Sequence, residues 1–325
     1  MTRNANGNAN SSANSNATGS ANGSVSATAA GTPERQAGHM LLEWLIAAAV
    51  GLVVLAGALT LYRMQHESFM RAADAQRMRE AGAAALTLIG QQIQMAGYAP
   101  LDQPALRARV TPGLIGCQSA LAVVGSAHVG SYGEDVGCVS DSFDGAGSDA
   151  VIVRYADDGV ATWPDASGAA TDCLGQGVPR RGSHAVIVNA FYVARPNRRT
   201  ERRTERRTER RTEVRAEQRP EPELYCVGNG SARGPQPIVE GVDRMELRYW
   251  LRGADEPVRA DAVASAQWAD VVAVDLCVVV RGRRTRAARG FVDCRGTHVP
   301  SWDGRERLAL SRHLALRNHV QGAAP

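Results

Sequence analysis

Apolar residues run from Met40 to Tyr62 with only Glu43, Thr60 and two glycines between them. That is about the 20 residues needed to cross a bilayer as a helix. After Tyr62 the pattern changes rather than stops. Met78, Gly82, Leu86, Ile89, Ile93 and Ala96 recur at three- and four-residue spacing, with Arg77, Arg79, Glu80, Gln91 and Gln92 between them. Such a stripe marks a helix with one buried face. No proline occurs between Met40 and Gly97, and Gly97 with Pro100 supplies a stop signal. The pattern therefore predicts one long helix: a membrane-spanning part over 39–63 and an amphipathic continuation over 64–99.

Beyond Leu101 the period shortens. Ala120–Val124, Ala150–Tyr155, Ala185–Val193, Arg244–Leu251, Ala269–Val280 and Arg289–Val292 are short runs rich in Val, Ile and Tyr, separated by Gly, Asp, Ser and Pro clusters. Leu308–His319 is a candidate last strand. No helices alternate with these runs, so the connections read as hairpins and loops. The expected fold class is α+β, with the N-terminal helix packed on an antiparallel β-sheet domain over 100–325.

A carboxylate in an apolar span costs about 2.5 to 3.5 kcal/mol at the bilayer centre on insertion scales, so Glu43 is read as a functional group with a partner. The plainer alternative is a signal anchor whose Glu43 snorkels to water. The six cysteines, Cys117, Cys138, Cys173, Cys226, Cys277 and Cys294, all follow the apolar span. An even number in an exported region reads as disulfides in an oxidising compartment. No C-x-x-C pair points to zinc or redox chemistry. Of the fifteen pairings that six cysteines allow, sequential ones are favoured. Cys277–Cys294 is the best founded, because a hairpin of Leu276–Arg281 against Gly290–Arg295 places the two opposite each other.

Charge narrows the reading further. Residues 198–219 hold ten Arg and five Glu, built on a repeated Thr-Glu-Arg-Arg, while the whole chain carries only +4 and contains no Lys. The basicity thus belongs to an insertion between two strand candidates. With almost nothing apolar to dock, that insertion is expected to be solvated and mobile. No nucleic-acid partner is expected; a polyanion contact through 198–219 is the weaker reading. Within the leader, 1–38, the stretch from Met1 to about Ala30 is mostly Asn, Ser, Ala and Gly with one charge, Arg3, and is expected to be disordered. No nucleotide, zinc-protease or serine-hydrolase motif occurs. Asp141, Asp144 and Asp149 in a Gly-rich stretch are weak Ca²⁺ candidates, without the EF-hand pattern. The expectation is no enzyme, no cofactor and no resident metal.

The stretch Gly38-His39-Met40-Leu41-Leu42-Glu43-Trp44-Leu45-Ile46 resembles the class III signal of type IV prepilins and type II secretion pseudopilins. The remainder narrows the likeness to the PilW-like minor pilins. The stretches that carry it are Ile93–Tyr98, Gly147–Tyr155, Leu224-Tyr225-Cys226, Val271–Arg281 and Leu314–Asn318. The resemblance implies cleavage after Gly38 by prepilin peptidase and methylation of the new amine on His39, where the family usually has Phe. It implies that Glu43 meets the amine of a neighbouring subunit during assembly. The implied location is the inner membrane, with the C-terminal domain in the periplasm and then in the pilus tip. The implied partners are prepilin peptidase, inner-membrane lipid, the assembly platform, other minor pilins and the major pilin. A large minor pseudopilin of a type II secretion system is the near alternative; a signal-anchored periplasmic enzyme or binding protein is the distant one.

Overall fold

The computed structural model describes residues 39–124, 136–140, 147–158, 164–180, 182–195, 221–230, 234–285 and 288–318. Two compact units are distinguished, Met1–Arg63 and Met64–Pro325. Helix α1 spans His39–Met95. Its residues up to Arg63 are the described part of the first unit, and their side chains from Met40 on are exposed. Among the described residues it is the one helix long and apolar enough to cross a membrane.

The second unit begins with the rest of α1. Here the predicted stripe is buried, with Met78, Gly82, Leu86, Ile89, Ile93 and Ala96 all facing inward. Gly97 follows the helix at φ +73°, a left-handed conformation that favours glycine. Its N–H donates to Arg154 O at 2.9 Å, turning the chain directly onto a strand. A short helix, α2 (Pro104–Val110), comes next, with Pro104 at its start.

Among the described residues twelve strands follow: β1 (Leu114–Cys117), β2 (Ala120–Val124), β3 (Val136–Ser140), β4 (Ala150–Ala156), β5 (Val186–Ala194), β6 (Glu223–Gly228), β7 (Gln236–Glu240), β8 (Val242–Leu251), β9 (Val271–Arg284), β10 (Phe291–Val292), β11 (His298–Val299) and β12 (Arg305–Ala315). All pairings between them are antiparallel. The α+β class and the antiparallel pairing are as expected from sequence, and the strands form two main sheets. One has the order β1-β4-β5-β6-β7 and the other β12-β9-β8, with β2-β3 and β10-β11 as separate hairpins. The division falls at Gly241 (φ +80°), where β7 turns into β8 and the chain passes from one sheet to the other.

One core joins α1 to both sheets: Ile89 and Ile93 of the helix, Val151, Phe191 and Leu224 of the first sheet, and Met245, Leu276, Val278 and Leu314 of the second. The other face of the first sheet is covered by the β2-β3 hairpin, which buries Ala120, Ala122, Ile152, Val188 and Ala190. Strands β4 and β5 are therefore covered on both sides, which is why they read as continuous apolar runs rather than alternating ones. In the second sheet alternation is plain. Along β8, Met245, Leu247 and Tyr249 point into the core and Glu246, Arg248 and Trp250 point away.

Two expectations are corrected. Leu276–Arg281 does not form a hairpin with Gly290–Arg295: β9 pairs with β8 and β12, while Phe291–Val292 pairs with His298–Val299. Long-range partners on both edges of β9 leave no edge for the local hairpin. The run from Ala269 also starts late, because Ser265–Asp270 forms a 3-10 turn that buries Trp268 before β9 begins.

Candidate functional site

Glu43 lies one turn into α1, among the exposed side chains of Met40, Leu41, Leu42, Trp44, Leu45 and Ile46. His39 is the first residue of the helix, and Gly38 lies outside the described residues. The arrangement presents one carboxylate on an otherwise apolar helical surface.

The cysteines pair in chain order: Cys117–Cys138, Cys173–Cys226 and Cys277–Cys294. Two of the bridges rest on the same local device. In Asp172-Cys173-Leu174-Gly175-Gln176 and in Asp293-Cys294-Arg295-Gly296-Thr297, the Asp Oδ1 accepts the amides two and four residues on, at 2.9–3.0 Å. Gly175 and Gly296 both take a positive φ, 70° and 77°, to close the turn. Each turn fixes its cysteine against a strand cysteine, Cys226 in β6 or Cys277 in β9. Cys294 thus reaches Cys277 from a tight turn after β10, so the bridge forms without a hairpin. Asp165-Ala166-Ser167-Gly168-Ala169 repeats the same turn without a cysteine.

Asp149 has a structural task instead of an open ligand sphere. Its Oδ1 accepts Gln118 Nε2 at 2.8 Å and Ser119 N at 3.0 Å, and its Oδ2 accepts Leu247 N at 2.9 Å. It ties the β1–β2 turn, where Ser119 sits at φ 46°, to the second sheet. Burial pushes its carboxyl up from the ordinary value, against the pull of the Leu247 and Ser119 amides. Asp141 and Asp144 lie outside the described residues, as does the insertion 198–219.

Two clusters were not singled out from the sequence. In the first, Gln92 Oε1 on α1 accepts Tyr155 Oη at 2.9 Å and Asn189 Nδ2 at 2.8 Å, while Asn189 Oδ1 accepts Cys173 N at 2.9 Å. Asn189 is fully buried in the middle of β5. The signal that would have found it is a lone amide inside the run Val186–Ala194. The second cluster joins residues far apart in the chain. Arg307 donates to Asp243 Oδ2 and to both oxygens of Asp303, each at 2.8 Å. These bonds hold the Asp303 carboxyl down to about 2. Its guanidinium stacks on Trp302, 4.3 Å from the ring centre. Arg281 bridges Asp243 and Glu221, and Glu221 also pairs with Arg305. Nothing local in the sequence announces this network.

The described residues thus define an α+β protein: an exposed apolar helix long enough to cross a membrane, and a disulfide-braced β domain with no cluster of three metal-ligating side chains among those residues. Residues 211–318 match the family PilW, described as type IV pilus-assembly protein W, a stretch that takes in β6 to β12. Over that stretch, about a third of the chain, it is similar to a family described by pilus assembly. Among solved structures, the chain is similar to the type IV-like pilin TTHA1219 from Thermus thermophilus, at 13% identity and a TM-score of 0.33, over 75% of this chain and 97% of that one. Among curated proteins no sequence matches the chain.

Proposed function

We propose that the chain is a minor pilin, cleaved after Gly38 and methylated on His39. It waits in the inner membrane with its disulfide-bonded domain in the periplasm, then enters a priming or tip complex of a type IV pilus. Glu43 carries the reading: a carboxylate on the exposed apolar surface of α1 favours a cationic partner in the membrane, and a neighbour's N-terminal amine supplies one. Lateral packing of apolar helices then proceeds with that charge neutralised. The expected partners are other minor pilins, the major pilin, prepilin peptidase and the assembly platform.

Glu43→Ala tests the mechanism, because removing a membrane carboxylate leaves insertion intact. The variant should stay in the membrane and begin at His39 by mass spectrometry, yet be missing from sheared pili and from co-purified complexes. Incorporation at the parent level would refute the role of Glu43. An N-terminus at Met1 in cells with active peptidase would refute the processing.

A further inference from the structure

The cluster around Arg307 lines a cleft of about 660 Å³. At its rim Trp302 is 72% exposed, which is unusual for so large an apolar side chain. One face of its indole is already occupied by the Arg307 guanidinium, which is itself almost wholly buried and held by three charge-assisted hydrogen bonds. The ring is thus presented on a rigid support with its other face free, at low entropic cost to a partner.

Charge says what that partner is. Six arginines and four carboxylates line the cleft. Glu221, Asp243 and Asp303 are each engaged by arginine, whereas Arg284 is exposed and has no ion-pair partner among the described residues. Asp293, the fourth carboxylate, accepts backbone amides of its own turn, and by formal count the lining carries two more positive than negative groups. A cation on the open indole face is disfavoured twice, by this excess and by the guanidinium already on the other face. An apolar or aromatic side chain beside a carboxylate fits both features, and Trp and Arg are the side chains most enriched where binding energy concentrates in protein interfaces.

We propose that the Trp302 cleft is the docking surface by which the β domain holds an acidic segment of a neighbouring pilus subunit. An apolar or aromatic side chain of that segment stacks on Trp302 and a flanking carboxylate meets Arg284. This deepens the minor-pilin reading and rests on it.

The test uses the full chain expressed in pilus-assembling cells, with Trp302→p-benzoylphenylalanine as a photo-cross-linker and the same substitution at the exposed Asp255, outside the cleft, as control. Position 302 should give an adduct whose partner peptide, sequenced by mass spectrometry, is an Asp- or Glu-rich stretch of another pilus subunit; position 255 should not. In detergent extracts Trp302→Ala and Arg284→Glu should each reduce the co-purified subunit about tenfold with an unchanged melting temperature, and Trp302→Phe should retain it. Subunits that co-purify normally with Trp302→Ala, or an adduct to glycan or lipid, would overturn the docking surface and leave the assembly reading standing. If no pilus subunit co-purifies even with the parent chain, both fall together.

Discussion

Removal of residues 198–219 is expected to raise stability slightly, whereas removal of the bridge that encloses them should lower it sharply. Cys173–Cys226 closes a loop with a sequence separation of 53 residues. In the chain-entropy account a loop of that size destabilises the unfolded chain by about 4 kcal/mol at 25 °C. Deleting the 22 residues shortens the separation from 53 to 31 and takes away only about 0.5 kcal/mol of that effect, since the term is logarithmic. In the native state the connection from Ala194 to Glu223 falls from 28 residues to six. On the expectation that the insertion contributes no packing, this relieves about 1.4 kcal/mol of loop closure.

The net expectation for the deletion is stabilisation by about 1 kcal/mol, or about 2 to 4 °C in a domain of this size. The paired change Cys173→Ser and Cys226→Ser should instead lose about 4 kcal/mol, or about 8 to 16 °C. Thermal melts followed by far-ultraviolet circular dichroism, on protein exported to an oxidising compartment, distinguish the two. A deletion that lowers the melting temperature by more than about 5 °C would show that the Thr-Glu-Arg-Arg repeat belongs to the fold. A serine pair that melts with the parent would refute the contribution of the bridge.

Asp149→Ala should lose about 3 to 5 kcal/mol in urea unfolding, because it strands the buried Leu247 amide and frees the β1–β2 turn; a loss under about 1 kcal/mol would contradict the role assigned to that carboxylate. The Asp303 carboxyl is depressed from 3.8 to about 2, so its contribution is present above the unfolded value and lost as pH falls through about 2. Between those values the parent should lose more stability than Asp303→Asn, and parallel curves would argue against the Arg307 pair. Burial holds the Tyr155 and Tyr192 phenols protonated up to about 12, so folding stability from these groups is intact below pH 10 and lost as pH rises through about 12. A phenolate absorbance titration of the folded protein that completes near pH 10 would contradict it.

What the sequence disclosed follows from the range of the forces involved. Helix α1 was legible because its signals are local and repeated: an apolar run with Glu43 as its one charge, then a stripe whose members are buried as spaced, then Gly97. Strand β2 was legible at both ends, and β4, β5 and β8 within two residues. Strand β7 was not, for its run Gln236-Pro237-Ile238-Val239-Glu240 contains a proline and only two strong strand formers. It is tolerated because β7 is the last strand of its sheet, where one row of amides needs no partner. Helix α2, with two arginines in seven residues, is too short to show a period.

The remaining misses have a different cause. The division into two sheets depends on how β7 passes into β8 at Gly241, and the pairing of β9 with both β8 and β12 joins residues 20 to 42 positions apart. A local hairpin explanation for Cys277–Cys294 was therefore plausible on paper and wrong in geometry, while the turn that does present Cys294 was written in the chain twice as Asp-Cys-x-Gly. The same limit applies to the candidate interface. Glu43 stands out because it breaks a local pattern, but Asp243, Asp303 and Arg307 look like ordinary surface residues until β8 and β12 are brought to either side of β9. Only then does Arg307 lose its water, lock onto two carboxylates and support Trp302. Local breaks in pattern thus reveal the candidate membrane end of this protein, and the proposed docking surface becomes visible only through the topology of the second sheet.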